Sequence, residues 1–122
     1  MEIRRVIAAA ITVVSCSIAG ASFAEDGGAL ARADILAEAA HATATKLRRR
    51  WDGARKIDDK AATCLQDKVA QAVMLAKRVD ERRAELRETK DAEARTKIAR
   101  RLEVLEDRRV ALEAEATRCT GK

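Results

Sequence analysis

The sequence predicts an all-α fold: an antiparallel coiled-coil helical hairpin closed by one disulfide. Three observations carry that prediction. Ala, Leu, Glu, Arg and Lys dominate the 122 residues, with no Pro, no Tyr, one Phe and one Trp. That is the composition of long helices, whereas sheets draw on β-branched and aromatic residues. The carboxy-terminal half repeats apolar positions in alternating steps of three and four, and two cysteines sit where a fold-back would join them.

Taken in chain order, residues 1–24 read as a signal peptide. Arg4 and Arg5 supply a positive start, residues 6–19 are uncharged and mostly apolar, and Ser22-Phe23-Ala24 offers small residues for cleavage before Glu25. The run is shorter than the roughly 18–20 apolar residues of a membrane span. Val13-Val14-Ser15-Cys16 also resembles the lipobox of bacterial lipoproteins, which makes Cys16 the alternative processing site, lipidated in place of ordinary cleavage. Either route exports the mature chain to the periplasm or beyond, so nucleic acid and nucleotide cofactors are not expected partners.

Residues 25–28 read as a loop and residues 29–122 as a single helical domain, a hairpin preceded by an amino-terminal arm. In the arm, Leu30, Ala33, Ala37, Ala40, Ala44, Leu47 and Trp51 share one helical face. Asp52-Gly53 is the one breaker signal before Cys64. Either a first helix ends there and folds against the hairpin, or a long helix runs over about 29–88 with a kink at Gly53. A helical Gly costs only about 1 kcal/mol, and the heptad phase carries through from Leu30 to Leu86, which favours the long helix.

Beyond Cys64 one seam comprises Leu65, Val69, Ala72, Ala76, Val79, Arg83 and Leu86; a second comprises Ile98, Leu102, Leu105, Arg109, Leu112, Ala116 and Cys119. Each is an a/d stripe. The twelve-residue step from Leu86 to Ile98 is out of phase with the 3.5-residue repeat, which puts a reversal around Thr89-Lys90-Asp91-Ala92 and a last helix over about 94–119. Folding there pairs the layers in order, from Leu86 with Ile98 to Leu65 with Cys119, and brings Cys64 to Cys119. An even pair of cysteines in an oxidising compartment reads as a disulfide. Closing a loop of this length stabilises by about 4 kcal/mol, comparable to what so Ala-rich a core supplies. Arg83 and Arg109 fall on the seams, where their stems can cover Ala while the guanidinium reaches water.

Charge is uneven along the mature chain. Residues 25–45 hold one Arg against four acids, while residues 46–60 hold seven basic residues against three acids. Lys46, Arg48, Arg49, Arg50 and Trp51 are therefore a candidate contact for an anionic lipid surface or an acidic partner, with Trp51 at the interface. The plainer alternative is a solvated basic face with Trp51 packed on Leu47.

Nothing in the sequence assembles a catalytic centre. His41 is the one histidine and has no second ligand at helical spacing, so no metal site is expected. A Ser–His–acid arrangement, a Gly-rich phosphate loop and a CxxC pair are all missing from the sequence. Glu81/Glu85 and Glu103/Asp107 lie at i, i+4 and read as solvated charge. The expectation is a non-enzymatic protein with no cofactor and no small-molecule substrate, partnered by another protein or by a second copy of itself.

The stretch from Thr63-Cys64-Leu65-Gln66-Asp67-Lys68-Val69 to Glu113-Ala114-Glu115-Ala116-Thr117-Arg118-Cys119-Thr120-Gly121 resembles a group of uncharacterised exported bacterial proteins. In that group a signal peptide precedes an Ala-rich helical hairpin bracketed by two cysteines; the resemblance implies no activity. The leading expectation is an envelope interaction or scaffold protein. Two alternatives stand beside it. One is a periplasmic holdase chaperone, similar to the basic coiled-coil chaperones of outer-membrane proteins, whose β-strand oligomerisation head is not recognisable here. The other is a lipoprotein-type tether acylated at Cys16 and ending in Gly121-Lys122, similar to small lipoproteins joined to peptidoglycan through a terminal lysine.

Overall fold

The computed structural model describes residues 27–120 as three helices: α1 (Gly27–Ala54), α2 (Asp59–Glu88) and α3 (Ala92–Ala116). The leader with Cys16, and Gly121-Lys122, lie outside the described residues. Gly27 and Gly28, expected in a loop, form the first residues of α1.

The long helix over 29–88 is not found. Helix α1 ends at Ala54 and the chain reverses through residues 55–58, so the first helix folds back onto the second. Gly53 is not the hinge: it stays helical, and no glycine among the described residues has a positive φ. Asp58 ends the turn. Its backbone is extended, and its carboxylate accepts hydrogen bonds from the Lys60 and Ala61 amides, both at 3.1 Å. That satisfies two of the orphan donors at the start of α2. A cap worth about 1 kcal/mol selects where the chain breaks, but burial is the larger reason that it breaks. One unbroken rod would leave Ala33, Leu36, Ala37, Ala40 and Leu47 in water, and in the bundle all five are buried.

The second reversal, over residues 89–91, contains neither Gly nor Pro and is held by side chains. Thr89 donates through both its amide (3.0 Å) and its hydroxyl (2.7 Å) to the Glu85 carbonyl. Arg95 donates to the carbonyls of Leu86 (2.8 Å) and Thr89 (2.9 Å), placing a cation on the negative end of α2. Asp91 caps α3 by accepting from the Ala94 amide. Helix α3 closes at Ala116, earlier than the expected end near 119, and Cys119 lies in the following turn.

Helix α3 runs antiparallel to α2, with Leu86 and Ile98 in one buried cluster and Leu65 and Cys119 in the other. The Cys64–Cys119 disulfide joins them with a Cα–Cα distance of 5.5 Å, ordinary for such a bond. Helix α1 packs on both. Its buried face is wider than the expected stripe, because Leu36 and Thr43 are buried beside Ala33, Ala37, Ala40 and Leu47. A stripe of that breadth fits a helix covered by two neighbours.

The core has two apolar clusters. Near the α2–α3 turn lie Leu36, Ala40, Val79, Leu86, Ile98 and Leu102 with their neighbours; near the disulfide lie Leu47, Leu65, Ala72, Leu112 and Ala116. Between them sits a polar layer. Buried Thr43 hydrogen-bonds Glu113, and Arg109 joins Glu113, Glu106 and Thr43. The seam arginines therefore do not lie over Ala with their heads in water as expected. Arg109 keeps only 17% of its side chain exposed, and Arg83 turns to Asp34 of α1. Arg109 finds its acids, Glu106 and Glu113, on its own helix, and α1 adds Thr43 beside it and Asp34 beside Arg83.

Candidate interaction surfaces

The basic run of α1 is divided around the helix. Lys46 donates to Glu113 of α3 at 3.0 Å and belongs to the edge of the polar layer. Arg48 and Arg49 are exposed on the other side, and Arg50 is half-buried. Trp51 is half-buried against the disulfide-end cluster, with the Arg55 guanidinium 4.9 Å from its ring centroid, a cation–π distance. The five residues do not form one flat cationic face.

Arg48 and Arg49 instead line a cleft of about 610 Å³ between α1 and α2, together with His41, Asp52, Lys77 and Asp80. His41 is exposed, its Nε2 2.7 Å from the Asp80 carboxylate. No group of three or more metal-ligating side chains is gathered among the described residues.

The polar layer sets the electrostatics of the interior. The Arg109 guanidinium holds the Glu106 carboxyl below the usual carboxylate range, against a smaller opposing effect of burial. Glu113 is lowered first by the Thr43 hydroxyl and then by Lys46. Glu103, one of the acids read as solvated, is partly exposed yet accepts both guanidinium bonds of Arg32 (2.8 and 3.0 Å), which lowers its carboxyl and ties α1 to α3. These groups pair with one another, and the Arg32–Glu103 and Lys46–Glu113 bonds tie α1 to α3.

The face that sequence reasoning missed lies on the outer side of the α2–α3 pair. A groove there has two stretches, of about 460 and 330 Å³, both bordered by Arg78. Met74, Leu75, Val104 and Leu105 contribute its apolar lining, and Arg78, Arg82, Arg100, Arg101 and Arg108 its cations, against one acid, Glu81. Val104 is 66% exposed and Met74 50%. The sequence did carry a signal: Met74 and Val104 are large apolar residues that fall off both heptad seams, each within four residues of an arginine.

Over the described residues these features define a disulfide-closed three-helix bundle with a divided core, a cleft between α1 and α2 and a groove along the outer α2–α3 face. Compared with protein-family models, curated proteins and solved structures, the chain matches none.

Proposed function

We propose that this chain is a non-enzymatic, exported interaction or scaffold module of the cell envelope. In it the antiparallel α2–α3 hairpin is the working unit and α1 its inner cover. The observation that supports this reading is the outer α2–α3 groove. Apolar side chains stay in solvent there, although the bundle has a core that buries others of the same kind. Exposed apolar surface of this kind marks contact sites. The leader motif and the cysteine pair argue for an oxidising compartment.

The address and the role are tested separately. Residues 1–30 fused to a phosphatase that is active only outside the cytosol should give activity, and intact mass of the exported chain should match a start at Glu25 with two hydrogens lost to the disulfide. A start at Cys16 carrying acyl chains would move the protein to the tether class. Light scattering and cross-linking of the purified protein should detect self-association or a defined envelope partner. A strict monomer with no cross-linked partner in the envelope would overturn the scaffold reading.

A further inference from the structure

We propose that the outer α2–α3 groove binds an amphipathic helix of a partner protein, one whose apolar stripe is bordered on both sides by acidic residues. This deepens the interaction-module reading and rests on it. On α2 the lining spans Ala70 to Arg82. At 1.5 Å per residue that is about 18 Å, three to four turns of a docked helix. The apolar floor asks for Leu-like side chains, and a helix supplies these at steps of three and four, while Met74, Arg78 and Arg82 recur along α2 at steps of four.

Charge selects the partner. Cations stand on both long walls, Arg78 and Arg82 on α2 and Arg101 and Arg108 on α3. Among the described residues, Arg78, Arg100 and Arg101 have no carboxylate at ion-pair distance, while Arg82 approaches Glu85 and Arg108 approaches Glu115. A guanidinium fork meets a carboxylate through two parallel hydrogen bonds. A lipid chain with one anionic headgroup needs cations at one end, whereas these run along the groove. A second copy is a poorer fit. The acidic stretch of this chain lies in α1, where Asp34 is already held by Arg83 and Arg87, Leu36 is buried, and Ile35 is the single large apolar residue left exposed, too little for an apolar stripe.

The test uses disulfide-intact protein and a labelled four-turn helical peptide with Leu at heptad a and d and Glu at e and g, beside a twin with Lys at e and g. The acidic peptide should bind, and the basic twin at least about tenfold more weakly. Binding should weaken as salt rises. Arg78→Glu with Arg101→Glu should reduce affinity by about tenfold or more. Val104→Asp should reduce it too, with the circular dichroism and melting temperature of the protein unchanged, since all three side chains lie on the surface. Equal binding of the two peptides, unaltered binding by the variants, or binding confined to phosphatidylglycerol vesicles would overturn the assignment, as would concentration-dependent dimerisation that the variants abolish. A cross-linked envelope partner that survives groove reversal sinks the groove but leaves the scaffold reading standing. A bound acidic peptide alongside a cytosolic phosphatase fusion does the reverse.

Discussion

At the end where α1 turns into α2, Cys64 is bonded to Cys119 and Leu47, Leu65, Leu112 and Ala116 close around them. At the opposite end, around Leu36, Val79, Leu86, Ile98 and Leu102, the turn over residues 89–91 joins α2 to α3, but α1 has no chain connection to either neighbour there among the described residues. Surface ion pairs assist at that end: Arg32 with Glu103, and Asp34 with Arg83 and Arg87. The difference teaches that two apolar clusters of similar make-up can be secured in different ways. At one end the disulfide adds a restraint on the unfolded chain, whereas at the other α1 is held by side-chain burial and surface ion pairs. Opening should begin with α1 at that end and stop at the polar layer.

The sharpest way to break the comparison is to remove the link. Reducing the disulfide, or replacing Cys64 and Cys119 by Ala, should cost about 4 kcal/mol, read from denaturant unfolding with and without reductant. A loss under about 1 kcal/mol would mean that packing holds both ends alike. Leucine truncations come next, at about 3 kcal/mol each, and they should differ in kind. Leu112→Ala should lower global stability, whereas Leu36→Ala in the oxidised protein should also speed amide exchange in the first half of α1, ahead of the disulfide end. Equal exchange at both ends would erase the distinction.

The polar layer gives smaller effects. Arg109→Met leaves Glu106 and Glu113 without their shared guanidinium and should cost about 1 to 3 kcal/mol. The folded-state carboxyls of Glu103, Glu106 and Glu113 lie below their unfolded values. Their contribution is therefore complete above the unfolded value and is lost as pH falls through the folded ones. Unfolding free energy should accordingly drop below the ordinary glutamate range near pH 4, and Arg109→Met should flatten that slope. An unchanged slope would move the acid sensitivity elsewhere. Smallest is Arg32→Ala. Its pair with Glu103 is about half exposed, so a loss of no more than about 1 kcal/mol that fades in high salt is expected.

Much of this was readable in advance because it depends on spacing alone. The seams of α2 and α3, the reversal after Glu88 and the Cys64–Cys119 pairing all follow from which residues share a helical face. The break after Ala54 was readable only as the less favoured of two alternatives, a first helix ending near Asp52-Gly53, because the heptad phase runs through it. The capping residue Asp58 was a sequence signal, but an aspartate ahead of a helical stretch is common and its cap is worth about 1 kcal/mol. In the basic run, helical spacing alone sets Lys46 and Arg48 on different faces, but the partner of Lys46, Glu113, needed the position of α3.

The sequence by itself determined that the chain is helical, which faces are apolar, and which two sulfurs meet, since helical period and composition are local properties. Only the tertiary structure decided that α1 folds back to cover the other two helices, that Arg83 turns to Asp34 of α1, and that a cationic groove is left along the outer α2–α3 face. Those outcomes depend on competition between surfaces for the same cover. Burying the apolar face of α1 is worth several side chains of hydrophobic free energy, more than any local preference for continuing a helix.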